Sequence, residues 1–492
     1  MGIADHFPAL IVVVLFAAAF LSPLLYRYAE KISAPFVIAS LLLSLLMSIA
    51  LLVQVQQFGP VFYHMGGWPP PWGIEFSADP IRVYILIVVT AVSLWIFLYA
   101  LRDLKHELKK EVIGWYYTLY SILVGSMAGI ALTNDLFNLF VLMEICAISA
   151  CAIISIKEDR ECLEASFKYL ILSAMGTGCF LLGVAMIYMA TGYLNYSFIQ
   201  AALAEAIVHY PLNIFTAAAL FIVAFGTKAA LFPLHVWLPD AHASAPTPSS
   251  AMLSGLVIKI YAFALFLMFY HVFPRGMLTT IPLNEIILWM AALGTMFGSV
   301  YAMIQTDLKK MLAFSSIGQI SYIFMGIGFH HDLALVGAFY HIMVHAITKA
   351  LLFMTAGVII YSTGVRKISD LAGIGRILPL TMLAFTIGSA SMVGIPGTGG
   401  LISKWYLALS ALEIGRPLFV LVILASSLLN AIYYMPIVIN AFMHQEDFIH
   451  EVRPVPRYML ASLIVGMFFV IVTGFFSRPV VTLLEQAAIL LF

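Results

Sequence analysis

The sequence predicts an all-α polytopic membrane protein of about fourteen transmembrane helices, on three observations. Hydrophobic residues are 63% of the 492, charged residues only 10%, and mean hydropathy is +1.03, values that belong to membrane chains rather than globular ones. Apolar stretches of about 20 residues recur from end to end. Two of them are interrupted, at Pro233 and at Pro396, Gly397, Gly399 and Gly400, and each carries a lysine beside the break. Soluble domains rarely need a buried ammonium beside broken backbone, whereas transporters build ion sites that way near the bilayer midplane.

In chain order the first three spans run at roughly 8 to 26, 33 to 55 and 80 to 101. The next five run at roughly 112 to 131, 136 to 156, 165 to 190, 213 to 238 (broken) and 250 to 272. Five more follow at roughly 281 to 304, 311 to 328, 333 to 361, 378 to 413 (broken) and 417 to 442, and the last at roughly 457 to 476. The first is read as a retained helix, because no basic n-region or small-residue cleavage site accompanies it. The WPPPW at 68–72 marks a rigid extramembrane loop with interfacial aromatics.

Cations test this count. With fourteen spans, the odd-numbered loops hold fifteen Lys and Arg, among them Lys31, Lys105, Lys110, Lys157, Lys309, Lys310, Arg366 and Arg453. The other face holds three, Arg275, Arg416 and Arg478. The positive-inside rule then puts the odd loops in the cytoplasm and both termini outside a cytoplasmic (inner) membrane.

Formal net charge is zero, so the total favours no partner, and no long basic run points to nucleic acid or an anionic lipid surface. The partner that composition does imply is the bilayer itself. Cys146, Cys151, Cys162 and Cys179 lack CxxC spacing, which suggests free thiols rather than a disulfide, metal or iron–sulfur site. No motif for quinone, flavin or nucleotide is present, so no cofactor is expected in this chain.

Six cations remain inside or at the edge of spans: Arg82, Lys168, Lys228, Lys259, Lys349 and Lys404, with Glu144 in mid-span. Arg82 and Lys168 lie close enough to a helix end to snorkel, although Lys168 also qualifies as a possible relay group. Lys228, Lys259, Lys349 and Glu144 do not. Each central charge costs about 2.5 to 3.5 kcal/mol to insert, so four cost on the order of 10 kcal/mol, which argues for a function.

At 1.5 Å rise per residue, groups near mid-span lie within about 6 Å of the bilayer centre and form a layer in its plane. A row of titratable groups in that plane suits lateral proton transfer. The run FYHIMVHAITKALLF extends it, with His341, His345 and Lys349 at i, i+4 and i+8 on one helical face. Two histidines at i, i+4 are also half of a zinc site, but no further ligands are in view and no metal is expected. His341, nearer the span end, also fits a core histidine.

Pro233 has no N–H and crowds the carbonyl four residues back, so the seventh span breaks at Ala229, next to Lys228. The run GIPGTGGLISKW breaks the twelfth span just before Lys404. Five spans separate the two, an odd number, so the units point in opposite directions and suggest an inverted repeat. The lysine precedes the break in one unit and follows it in the other, and a glycine-rich packing kink with an interfacial lysine is the alternative.

Four runs then resemble a known family. These are TKAALFPLHVWLPDAHASAPTPSSAML (227–253), DLKKMLAFSSIGQISYI (307–323), HIMVHAITKALLFM (341–354) and GIPGTGGLISKWYL (394–407). They are similar to the signatures of the antiporter-like subunits of respiratory complex I, Mrp-type Na+/H+ antiporters and membrane-bound hydrogenases. The resemblance implies a fourteen-helix fold: an N-terminal three-helix segment (1–106), helices 4–8 (107–273) and 9–13 (274–445) as inverted repeats with helices 7 and 12 broken, and a C-terminal helix 14 (446–492). By position it pairs Glu144 with Lys228, sets Lys259, His345 and Lys349 as central relay groups, and makes Lys404 the terminal site. Lys at that last site, and no long lateral helix after helix 14, look most like the Mrp D-type subunit or its counterpart in a ferredoxin-linked complex.

The expected function is therefore proton translocation within a multisubunit membrane complex, either a cation/proton antiporter carrying Na+ or a redox-driven pump. Two other readings are a self-contained secondary transporter of a small solute and a structural anchor whose charges hold helices together. No nucleophile–base pair or metal set suggests an enzyme active site.

Overall fold

The computed structural model describes residues 2–273, 282–443 and 452–489. Its first helices are α1 (Phe7–Tyr28), α2 (Glu30–Phe58), α3 (Pro80–Glu107), α4 (Lys110–Leu132), α5 (Leu136–Ser155) and α6 (Arg160–Thr191). There follow α7 (Tyr196–His209), α8 (Pro211–Lys228), α9 (Leu238–Ser244) and α10 (Thr247–Val272), the last containing π-helical turns at Leu253–Val257 and Met268–Val272. Next come α11 (Leu283–Met303), α12 (Leu308–Phe329), α13 (Asp332–Thr363), α14 (Pro379–Val393) and α15 (Gly399–Glu413). The chain ends with α16 (Pro417–Met443), α17 (Arg457–Phe475) and α18 (Arg478–Ile489).

The fold is an all-helical membrane bundle. Among the described residues, thirteen helices are long and apolar enough to span a membrane, and they fall on thirteen of the fourteen expected spans. The remaining one, 378 to 413, consists of α14 and α15, each of 15 residues and so too short to cross alone. Helix starts follow their caps: Asp79, Asp135, Asp159 and Asp307 each accept from backbone N–H groups in the first turn of α3, α5, α6 and α12. The helix α6 ends at Gly192 and α13 at Gly364, both left-handed.

Four elements were not expected. Residues Val61–His64 (β1) and Glu75–Ala78 (β2) form an antiparallel hairpin, with Val61 opposite Ala78 and His64 opposite Glu75. The 14-residue α7 lies between two expected spans. Beyond the last expected span, α18 buries Val481, Leu484, Ala487 and Ala488 on one side.

The interior consists of α10, α12 and α13, in which 100%, 94% and 89% of the most apolar window is buried, against 33% for α16 and 39% for α2. The loops sort by parity. Lys31, Lys105 and Lys110 line one cleft; Lys109 pairs with Glu158; Leu308 N–H donates to the Arg366 carbonyl; Arg453 N–H donates to Ser362. The even-numbered loops meet one another likewise, where Asn134 N–H donates to the Glu75 carbonyl and Tyr196 N–H to that of Asn134. Arg275 lies outside the described residues.

Two cations differ from their expected setting. Arg82 does not snorkel: it is 1% exposed, pairs with Asp79 at 3.0 Å, and donates to the Thr133 carbonyl at 2.6 Å and to Asn134 Oδ1 at 3.1 Å. Arg82 therefore ties α3 to the α4–α5 turn, whose Asn134, together with Asn195 at the start of α7, donates to the buried carboxylate of Glu75. Burial raises the Asp135 carboxyl in this turn from its ordinary value, although backbone N–H groups of α5 oppose the rise. Lys309, counted as a loop cation, is 3% exposed and donates to the Ala245 carbonyl at 2.7 Å.

Candidate functional site

Lys228 is the last residue of α8, where Pro233 prevents a regular helix from continuing. The break is stitched locally. Leu231 N–H donates to Gly226 O at 2.8 Å, Trp237 Nε1 to Thr227 O at 2.8 Å, and Ala230 takes a positive φ of 56°, a conformation that costs a non-glycine residue roughly 1 kcal/mol. An ammonium in the last turn of a helix also meets the negative end of its dipole.

The Lys228 Nζ stands 3.5 Å from Glu144 Oε1. Two hydroxyls one turn apart on α6 hold the partners: Nζ donates to Ser173 Oγ at 2.9 Å, and Thr177 Oγ1 donates to Glu144 Oε1. The ring of Tyr261 lies 5.4 Å from the same ammonium. Each charge thus has a neutral partner as well as an ionic one, so separating the pair strips neither of hydrogen bonding. Lys228 is fully buried, whereas the Glu144 side chain is 33% exposed although it stands in the middle of α5.

From here the interior helices carry the series inward. Lys259, on α10 just past the first π-helical turn, donates to the Ser254 carbonyl within that turn. The Ser254 Oγ meets Ser316 Oγ of α12 at 2.7 Å, and Ser316 Oγ donates to Leu312 O at 2.9 Å. Lys349 of α13 donates to that same Leu312 carbonyl at 2.9 Å and to Tyr434 Oη at 3.3 Å. Between Lys259 and Lys349, on different helices, thus lie two carbonyls, those of Ser254 and Leu312, and the Ser254–Ser316 hydroxyl pair.

At the second break Lys404 lies near the start of α15 but reaches back to the end of α14, donating to Met392 O at 2.8 Å and Val393 O at 3.0 Å and to Ser427 Oγ at 3.0 Å. Gly394 has φ +91°, and a Cβ on Gly400 would stand 1.8 Å from the Ser391 carbonyl oxygen, so only glycine lets the half-helices overlap there. In both breaks an ammonium sits at the C-terminal end of the first half-helix, although a different half supplies it. The opposite order of lysine and break in sequence thus gives the same placement relative to the helix end.

His341 and His345 stack at 5.5 Å between ring centroids. His341 Nδ1 meets Ser403 Oγ, beside Lys404, at 2.8 Å, and Tyr322 faces both the His341 ring and the Lys404 ammonium. Among the described residues, both ring nitrogens of His345 and His242, the His341 Nε2 and the Gln319 amide are buried without a hydrogen-bond partner. Buried polar atoms of this kind are ordinarily met by water. Lys168 stands apart from this set. Its side chain is 44% exposed and bridges Glu164 (2.9 Å) and Asp240 (3.0 Å) at a polar cleft of about 450 Å³.

Sequence reasoning missed Ser173, Thr177, His242 and the Glu107–Lys157 pair. In this pair Glu107 also accepts from Thr247 N–H at 2.9 Å, close to Lys309, whose acceptor is the Ala245 carbonyl. His242 had a signal, as the second histidine, after His235, of the broken-helix run at 227–253. Serine and threonine in an apolar helix have none, since both also serve as small packing residues.

The family described as NADH:quinone oxidoreductase/Mrp antiporter, transmembrane region, matches residues 133–430. NADH-quinone oxidoreductase subunit N of Desulforudis audaxviator is 37% identical over 499 aligned positions, covering 98% of each chain. A D-type Na(+)/H(+) antiporter subunit of Alkalihalophilus pseudofirmus is 32% identical, covering 89% of this chain and 87% of its own. Among solved structures, a chain of the membrane-bound sulfane sulfur reductase, an archaeal respiratory membrane complex, superposes with a TM-score of 0.89 at 31% identity, covering 98% of this chain and 96% of that one. A chain of the Mrp complex from Dietzia sp. shares the fold with a TM-score of 0.89 at 22% identity, covering 99% and 97%.

Proposed function

The chain belongs to the NADH:quinone oxidoreductase/Mrp antiporter transmembrane family, and from that premise we propose that it moves protons along a line from Glu144 and Lys228 through Lys259, then Lys349 and His345 with His341, to Lys404. It is an antiporter-like, multi-pass membrane subunit of an Mrp antiporter or of a membrane respiratory complex. The observation that carries the proton reading is the mid-span Glu144–Lys228 pair, 3.5 Å apart, together with the polar contacts that lie between Lys259 and Lys349: the Ser254 carbonyl that accepts from Lys259, the Ser254–Ser316 hydroxyl pair, and the Leu312 carbonyl that accepts from both Ser316 and Lys349.

The pair is the input. An ionised Glu144 beside Lys228 favours the charged lysine, and drawing them apart in a low-dielectric interior favours release of a proton. The groups titrate as a coupled set. Moving a charge against the membrane potential costs about 2.3 kcal/mol per 100 mV, so the drive comes from a partner subunit. The exposure of Glu144 supports this, because a mid-span carboxylate is expensive against acyl chains and a neighbouring subunit covering it removes that cost.

The finer assignments belong to the same proposal. Helices 4–8 (107–273) and 9–13 (274–445) form inverted repeats flanked by 1–106 and 446–492, supported by the matched ammonium at the two breaks. With α14 and α15 taken as one broken span, the count is fourteen, and the parity of the loops supports both termini outside a cytoplasmic membrane. Lys168 serves at the surface cleft rather than in the buried line. The terminal lysine favours a D-type role, in a cation/proton antiporter or a ferredoxin-linked pump; Na+ is the second ion in the former.

Co-purification from mild detergent followed by reconstitution tests the proposal. The expected result is a complex whose companions are either iron–sulfur subunits or small membrane proteins with a second antiporter-like chain, and proton transport only when they are present. Transport by the chain alone would overturn it in favour of a self-contained transporter.

A further inference from the structure

Where the ends of α1 and α3 meet the starts of α2 and α4 lies a cleft of about 520 Å³ whose charged lining is Glu30, Lys31, Lys105 and Lys110. Its one carboxylate is already taken, because Lys110 Nζ stands 2.8 Å from Glu30 Oε2. Among the described residues, Lys31 and Lys105 have no carboxylate partner. The polar cleft beside Lys168 differs, since its three cations, Lys168, Lys310 and Arg366, all pair with carboxylates. Two unpaired ammoniums that share a cleft repel each other, and a bound anion offsets that repulsion.

The cleft stands at headgroup depth. Its three lysines lie two to four residues beyond the expected spans at 33 to 55, 80 to 101 and 112 to 131, which at 1.5 Å per residue is about 3 to 6 Å outside the hydrocarbon. The floor is apolar, formed by the buried Leu108, Ile113 and Tyr117. Tyr26 makes a fixed wall: its Oη donates to the Lys110 carbonyl at 2.9 Å, and its ring lies against Gly114, where a Cβ would stand 2.8 Å from it. At the α1–α2 turn beside the cleft, Tyr28 and Ile32 are exposed. A soluble anion has no use for an apolar floor and an apolar lip, whereas an amphiphile uses both.

We propose that this cleft binds the headgroup of one anionic glycerophospholipid, with Lys31, Lys105 and Lys110 on its phosphodiester and its acyl chains against the outer faces of α1 and α2. Those two helices present such faces, because only 39% of the most apolar window of each is buried. Basic pockets between membrane helices at the headgroup level hold lipid phosphates by this combination of charge and depth. The lipid ties α2 and α3 to α4 at a point where the protein itself supplies mostly like charges. None of these residues belongs to the buried proton line, so the site serves the stability of the N-terminal helices rather than transport.

The test is lipid binding by the purified complex, stripped of lipid in mild detergent and titrated with phosphatidylglycerol or phosphatidylcholine, bound lipid being counted by native mass spectrometry. The expected result is a tight phosphatidylglycerol site that phosphatidylcholine does not fill. Lys31→Gln with Lys105→Gln should weaken it on the order of thirtyfold, and Lys31→Arg with Lys105→Arg should keep it. If the glutamine pair does not assemble, the two single variants carry the test, each with an expected loss of about fivefold. Lys109→Gln with Lys367→Gln removes the same charge from exposed positions outside the cleft and should leave binding unchanged. Equal phosphatidylglycerol affinity in the glutamine variants and the parent, or equal filling by phosphatidylcholine, would overturn the proposal. Displacement of the lipid by millimolar inorganic phosphate would also overturn it, because the occupant would then be a free anion.

Discussion

Lys228 and Glu144 face each other at 3.5 Å while each is also held by a hydroxyl of α6, Ser173 on the ammonium and Thr177 on the carboxylate. Because those hydroxyls stand one helical turn apart, α6 acts as a common support for both partners. This arrangement gives the first prediction. Ser173→Ala and Thr177→Val should each slow transport several-fold while leaving the complex assembled, since each removes one neutral partner worth about 1 kcal/mol. Proton uptake by proteoliposomes, normalised to co-purified complex, reads it; an unchanged rate in both variants would make the hydroxyls mere packing.

Arg82 makes a prediction about stability rather than transport. Replacing it with leucine leaves Asp79 and the Thr133 carbonyl without their buried partner, and should cost about 3 to 5 kcal/mol, seen as a lower melting temperature or lost assembly. Arg82→Lys should recover little, because one ammonium cannot span the Thr133, Asn134 and Asp79 contacts that the guanidinium fork reaches.

Gly400 should tolerate no side chain. A Cβ there would stand 1.8 Å from the Ser391 carbonyl oxygen, so Gly400→Ala must push α15 away from α14 and draw Lys404 off the Met392 and Val393 carbonyls. The expected cost is about 1 to 3 kcal/mol of stability with loss of transport. Gly178→Ala is the control, since nothing lies within 4 Å of its Cβ position, and it should melt within about 0.5 kcal/mol of the parent.

Loop parity yields a topological prediction. Single cysteines placed at exposed Lys109 and Glu158 should react with an impermeant thiol reagent only from the cytoplasmic side in a background where the four native cysteines are serine, and one at exposed Trp72 only from outside. Labelling of Lys109 and Trp72 positions from the same side would contradict the fourteen-span reading.

The spans and their breaks were legible because hydropathy and the backbone chemistry of proline and glycine act locally. The intramembrane lysines stood out for the same reason, each an expensive group in an apolar run. What the sequence concealed depends on distant neighbours. Arg82 looked free to snorkel because Thr133 and Asn134 lie some fifty positions away. Lys309 looked like a loop cation because its acceptor is the Ala245 carbonyl. The helix α7 was hidden because a 14-residue amphipathic segment is too short to score as a span. Lys31 and Lys105 read as ordinary loop cations, and only the packing of α1 to α4 gathers them around one cleft.

The central claim is that the Glu144–Lys228 pair drives proton movement. The direct measurement is proton transport by proteoliposomes containing the purified complex with Lys228→Ala or Glu144→Ala, each shown to retain its companion subunits. The account predicts that either substitution abolishes transport. A normal rate in either variant would contradict it.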